Sequence, residues 1–203
     1  MISVLPYVLL GYLSGSLLWA KFFGHLLAKK DIAAVSSDGN PGAFNAFRCG
    51  GFWCGCLTLC FDMLKGFLPV MLYLRSTAEY PPLGLALVMA APVVGHVFPA
   101  FHGFRGGKGI AVSFGVLLGF APDLRPALVL AVVFIVFSVV IQITSHYYRT
   151  LATYIAAVPA MFALVPAYPV RVGFLLIAGT VVVKLLGSKE EKEKPEVKIG
   201  WKS

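Results

Sequence analysis

Seven apolar segments leave this chain few folds to choose from. They cover residues 2–23, 52–74, 82–101, 110–120, 127–144, 151–167 and 170–186. A transmembrane helix needs about 20 apolar residues, and most of these segments come close. The fourth is short and is expected to be tilted or broken. Charged residues make up 13% of the chain and hydrophobic residues 59%, whereas a soluble domain carries about 25% charged residues. The pattern predicts an all-α integral membrane protein with seven transmembrane helices. No cation precedes the first segment, while Lys21, Lys29 and Lys30 come at its end or after it. A secretory signal carries its charge first, so this segment reads as a first span that leaves the N-terminus outside.

Seven crossings put the two ends on opposite sides, and the basic residues then sort. Lys29, Lys30, Arg48, Arg105, Lys108, Arg149, Lys184 and the tail lysines fall on one side, and Arg75, Arg125 and Arg171 on the other. The richer side is cytoplasmic by the positive-inside rule. Loop 24–51, loop 103–109, turn 145–150 and the C-terminus then face the cytoplasm. The division is a membrane domain, 1–187, and a charged tail, 188–203, expected to fray beyond Lys189. The net charge of +8 belongs to these loops, and no basic face carries interleaved exposed aromatics, so no nucleic-acid partner is expected. Cys49, Cys54, Cys56 and Cys60 form no C-x-x-C pair and read as helix-packing residues. No metal and no cofactor are expected.

The cytoplasmic loops carry the chemistry. Residues 103–109 read Gly-Phe-Arg-Gly-Gly-Lys-Gly. Glycines that turn N–H groups toward one point, beside a lysine or arginine, make an anion site. Loop 1 holds Asp38, Gly39, Asn40, Pro41, Gly42, Asn45 and Arg48. On a short helix Asn45 and Arg48, at i and i+3, would share a face, with Arg48 offering a planar fork to phosphate. Thr150 and Thr153 stand in a third polar patch that begins at His146. His96 is placed to orient a phosphate or act as a base near neutral pH; His25 and His146 read as interfacial. Asp62 and Lys65, at i and i+3 inside the second segment, read as a neutralised pair that locks helix packing. Polar loops above apolar helices fit a phosphorylated head group held at the surface, with an acyl chain in the bilayer.

Here the sequence resembles the bacterial acyl-phosphate:glycerol-3-phosphate acyltransferases of the PlsY type. Residues 39–48, Gly-Asn-Pro-Gly-Ala-Phe-Asn-Ala-Phe-Arg, fit their first motif after its opening serine, where Asp38 stands. Gly95-His96-Val97-Phe98-Pro99 and Phe104-Arg105-Gly106-Gly107-Lys108-Gly109-Ile110-Ala111 fit the second. The family's His-Arg-Glu-Asn cluster after the last span has no counterpart in residues 183–190.

The resemblance implies a multi-pass enzyme of the bacterial inner membrane with a cytoplasmic active site. It would be a monomer moving a fatty acyl group from acyl phosphate to the 1-hydroxyl of glycerol 3-phosphate. Gly106, Gly107 and Lys108 would hold the acyl phosphate. Gly39, Asn40, Gly42, Asn45, Arg48, Arg105, Thr150 and Thr153 would serve the substrates or shape the loops. Lys108, Asp38 and His96 are the catalytic candidates, Asp38 as a base. The alternative is a catalytically silent homologue or a carrier that binds a phosphorylated lipid or anion. A carrier would place polar groups near the midplane on broken helices. Here they gather on one side, which favours the enzyme.

Overall fold

The computed structural model describes residues 3–188 and residue 197; the rest of the charged tail lies outside the described residues. All seven apolar segments are helical, and the described structure contains no strand beyond an isolated bridge between Ile143 and Val197. In chain order the helices are α1 (Leu5–Gly15), α2 (Trp19–Phe23), α3 (Ile32–Val35), α4 (Ala43–Gly50), α5 (Phe52–Ser76), α6 (Pro82–Val97), α7 (Ile110–Leu118), α8 (Arg125–Ile135), α9 (His146–Leu164) and α10 (Tyr168–Leu186).

The first segment is not one rod. It breaks after Gly15, with Leu18 extended, resumes as α2, and widens into a π-helical turn over Gly24–Ala28. Ser16 Oγ donates to the Tyr12 carbonyl at 2.8 Å and accepts the Ala100 N–H at 3.1 Å. This side chain competes with the helix ladder where the chain turns. α8 also ends in a π-helical turn, Val136–Val140. α6 ends two residues before Pro99 and α9 two before Pro166, because a residue that precedes proline avoids the helical region.

α6 is the central helix, buried along most of its length and packed against α1, α5, α7 and α10. Small residues set the approach. A Cβ on Gly15 would meet the Pro92 backbone, and one on Gly95 the Tyr12 carbonyl. The pair Gly66 and Gly115 brings α5 and α7 together in the same way. In lipid this close contact replaces the hydrophobic drive that water supplies elsewhere.

The outward faces are apolar. Leu64, Leu68 and Leu72 on α5, Leu83 and Leu87 on α6, and Leu128, Val132 and Ile135 on α8 are all exposed. Soluble monomers rarely leave apolar patches of that extent; a bilayer covers them. α5, residues Pro82–His102 and α10 are long and apolar enough to cross a membrane, and Arg125–Val140 is a shorter apolar helix. α7, with nine residues, spans about 14 Å, roughly half of a bilayer core of about 30 Å.

A smaller core of Ala20, Phe23, Ile32, Ala46 and Cys54 fastens loop 1 to α2 and α5. Trp19 and Phe61 pack on its edge, their rings tilted with centroids 4.8 Å apart. This anchor fixes α4, and with it Asp38 and Asn45, at the end of the bundle where the glycine-rich loop lies.

Candidate active site

Three loops converge on Lys108. Its side chain is 5% exposed. Its Nζ donates to Asp38 Oδ2 of loop 1 at 3.0 Å and to His146 Nδ1, at the start of α9, at 3.3 Å. Asp38 is held in turn through Oδ1, which accepts from Asn45 Nδ2 at 2.6 Å and from the Asn40 N–H at 3.2 Å. Burial pushes the Asp38 carboxyl up. The Lys108 charge and the hydrogen bonds from Lys108, Asn45 and Asn40 outweigh it and hold the group below the ordinary carboxylate value. Asp38 is therefore a carboxylate at neutral pH and a poor proton acceptor. His146 lies ahead of the apolar segment that begins at Leu151. Burial, then the Lys108 and Arg149 cations, lower it to about 4, so its ring is neutral at pH 7.

The glycines of the loop meet the end of α6. The Gly106 N–H donates to the Val97 carbonyl and the Gly107 N–H to the His96 carbonyl, both at 3.1 Å. These are carbonyls left open at the C-terminal end of α6. The two N–H groups dock the loop onto α6. A Cβ at Gly106 would strike the His96 carbonyl, and one at Gly107 the His96 ring. His96 is thus a strut. Its ring fills the space under Gly107, and its Nδ1 lies 2.9 Å from Lys65 Nζ. Lys65 pairs with Asp62 at 2.7 Å and donates to the Leu17 carbonyl at 2.5 Å. The expected lock is present, and it reaches from the α1 break to the floor of the loop.

Two cavities meet at Lys108. One, of about 290 Å³, has apolar walls from Leu59, Ile110, Ala111, Phe114 and Phe134, with Asn40, Phe44, His96, Lys108, His146 and Arg149 at its polar end. The starts of α4, α7 and α9 all contribute to it, and helix N-termini favour negative charge. The other, of about 570 Å³, is lined by Ser37, Asp38, Gly39, Asn40, Arg105, Gly106, Lys108, Lys184, Gly187 and Ser188. Asn40 and Lys108 belong to both. A wider cavity of about 680 Å³, between Leu17 and His102, contains none of these residues.

The structure brings together Asp38, Gly39, Asn40, Gly42, Asn45, Arg105, Gly106 and Lys108, all expected from the sequence. It does not bring Arg48. Asn45 is buried toward Asp38, while Arg48 is exposed on the outer side of α4 and lines neither cavity. Residues three apart on a helix are still about 60° apart around its axis, enough here to separate inside from outside. Thr150 and Thr153 are buried, and their hydroxyls donate to the His146 and Arg149 carbonyls at 2.8 Å; both serve the first turns of α9. Sequence reasoning missed His146 and Lys184 as site residues. For His146 a signal existed, since helical spacing from His146 to Arg149 and Thr150 puts all three on one face.

Residues 5–189 match the glycerol-3-phosphate acyltransferase family. A glycerol-3-phosphate acyltransferase of Cupriavidus pinatubonensis (strain JMP 134 / LMG 1197) is 35% identical over 200 residues, covering 93% of this chain and 95% of that protein. One of Francisella tularensis subsp. tularensis (strain SCHU S4 / Schu 4) is 32% identical over 199 residues, covering 97% and 93%. The match to the Pseudoalteromonas translucida (strain TAC 125) enzyme is higher, 42% over 118 residues, but spans only 58% of this chain and 56% of that one. The fold is similar to two crystal structures of PlsY (YgiH), an integral membrane glycerol 3-phosphate acyltransferase, in lysophosphatidic acid and glycerol 3-phosphate forms. Their TM-scores are 0.73 and 0.74, at 28% identity, covering 90% of this chain and 88% of that one. With a family match along almost its whole length, full-length relatives above 30% identity and a shared membrane fold, this chain belongs to the glycerol-3-phosphate acyltransferase family.

Proposed function

We propose that this chain transfers a fatty acyl group from acyl phosphate to the 1-hydroxyl of glycerol 3-phosphate, giving lysophosphatidic acid and inorganic phosphate. One observation carries the reading: the Lys108 ammonium stands where an apolar cavity meets a polar one. The acyl chain lies along Leu59, Phe114 and Phe134. The acyl phosphate group rests on Lys108, beside the starts of α4, α7 and α9. Glycerol 3-phosphate enters the polar cavity, where Arg105 and Lys184 receive its phosphate. Acyl phosphate is already activated, so positioning and charge neutralisation are the main tasks. No cofactor or metal is needed. The enzyme works as a monomer in the bacterial inner membrane, residues 1–187 crossing seven times with the N-terminus outside and this site at the cytoplasmic face.

The test is phosphate release by purified protein given palmitoyl phosphate, with and without glycerol 3-phosphate. Release that requires glycerol 3-phosphate, with lysophosphatidic acid formed, is expected. Binding of palmitoyl phosphate with no release would favour a catalytically silent binding protein, and release without the acceptor would mean another acceptor, such as water.

Two arginine substitutions test where the acceptor phosphate lies. Arg105→Ala is expected to raise KM for glycerol 3-phosphate by about 10-fold, since a hydrogen bond to a charged group contributes roughly 1.5–3 kcal/mol. Arg48→Ala is expected to leave both constants close to wild type. Initial rates over a glycerol 3-phosphate series decide it. A large effect confined to Arg48 would reverse the placement of the acceptor.

A further inference from the structure

His146 is held in one orientation from several sides. Its Nδ1 faces Lys108 Nζ at 3.3 Å and Thr150 Oγ1 at 3.4 Å. Its ring packs on Phe44, with centroids 5.1 Å apart. The Thr150 hydroxyl donates to the His146 carbonyl at 2.8 Å, so its proton is already engaged. An ammonium offers only donors. The ring nitrogen that faces Lys108 therefore accepts, and the single proton of the neutral ring sits on Nε2. Among the described residues no acceptor engages Nε2, and the ring forms part of the wall of the apolar cavity.

From this geometry, and resting on the acyl-phosphate reading above, we infer that His146 is a catalytic residue whose Nε2–H donates to the carbonyl oxygen of the acyl phosphate. With phosphate on Lys108 and the chain along Phe114 and Phe134, the reacting carbonyl falls at the polar end of the cavity, where His146 lies. Asn40 and Arg149 also line this end, and Arg149 Nε is a buried donor with no hydrogen-bond partner among the described residues, so His146 is one of two donors free to face the carbonyl. Lys108 holds Asp38 and receives the phosphate, and Arg149 Nη1 donates to the Ile143 carbonyl at 3.4 Å.

The step balances without a protein base. The 1-hydroxyl oxygen forms a bond to the carbonyl carbon, and negative charge grows on the carbonyl oxygen, where Nε2–H stabilises it. The carbon–oxygen bond to phosphate then breaks, and the hydroxyl proton leaves on the released phosphate. His146 keeps its proton throughout. A neutral donor suits this position, because an imidazolium beside Lys108 would repel it. A donor aimed at developing charge acts on kcat rather than on substrate affinity.

Two conservative variants separate this role from a merely structural one. The Gln amide reaches the place of Nε2, whereas the Asn amide reaches only the place of Nδ1. Turnover of palmitoyl phosphate with glycerol 3-phosphate is measured for full-length His146→Gln, His146→Asn and His146→Ala. Loss of a single oxyanion donor lowers kcat by about 10²–10³-fold. The Ala and Asn variants are expected to show that loss with KM values near wild type, and Gln to exceed Asn in kcat by about 10-fold or more. If kcat of the Gln variant is equal to or below that of Asn, or if all three match wild type, the inference is overturned. Wild-type protein that forms no lysophosphatidic acid would defeat the acyl-phosphate reading itself. An active wild type with the Gln and Asn order reversed would defeat only the role of His146.

Discussion

Lysophosphatidic acid formation by the Lys108→Ala variant is expected to fall by about 10²–10³-fold, the usual cost of removing one preorganised donor from a site of developing charge. Two effects act together. The variant loses the cation that neutralises the acyl phosphate, and it leaves the Asp38 carboxylate, 13% exposed at its side chain, without its partner. A bare carboxylate repels an incoming phosphate, so affinity should fall with turnover. Lys108→Arg is expected to recover little. The ammonium serves Asp38 and His146 at once in a buried slot, and a planar guanidinium does not reproduce that arrangement. The double variant Asp38→Asn/Lys108→Ala removes the repulsion but not the missing charge. Palmitoyl phosphate binding should partly return while turnover stays low. Wild-type turnover in Lys108→Ala would end the phosphate assignment.

The same pair sets an acid limit. The Asp38 carboxyl is held below its ordinary value of 3.8, so the Lys108–Asp38 pair contributes fully above that value. It is lost as pH falls through the lowered folded value. His146 acts higher on the scale. Its folded value is about 4 against an ordinary 6.5, so between those values the unfolded chain binds a proton that the folded chain does not. Stability therefore declines as pH falls from 6.5 toward 4, before the ion pair is touched.

What the sequence made legible was the material of each element and not its neighbours. Apolar runs bounded by proline marked the helices, because both properties act locally. The break after Gly15 was hidden because its causes are tertiary. Ser16 reaches Ala100, and Lys65 takes the Leu17 carbonyl, contacts no window of 20 residues contains. Gly106 and Gly107 stand out in the sequence because a glycine admits close approach, and the partner that approaches, the end of α6, is visible only in the fold. Charge and spacing point to Arg48, yet whether a helix face looks inward depends on the core beneath it. A histidine at a membrane interface is ordinary in sequence, and only the fold puts Lys108 beside His146. Chemistry alone makes Asp38 a possible base, but its partners make it the brace that orients Lys108.

Replacing Lys65 by Met is expected to be the most damaging single change to the fold. Asp62 is 1% exposed and Lys65 5%. Removing one member of a buried ion pair costs about 3–5 kcal/mol, because the other charge is left without compensation. Here the loss spreads further. The Leu17 carbonyl at the α1 break loses its donor, and His96 Nδ1 loses its neighbour, so α1, α5 and α6 loosen at one point. Asp62→Leu/Lys65→Met should recover much of the thermal stability in detergent, since exchanging a buried ion pair for apolar residues of similar volume is often close to neutral. Turnover should not recover with it. His96 supports the carbonyl and ring contacts on which Gly106 and Gly107 rest, and without Lys65 that support shifts beneath Lys108. Stability restored with activity still low would separate the lock from the chemistry it underpins. A Lys65→Met protein that unfolds at the wild-type temperature would show that the pair does not hold these three helices together.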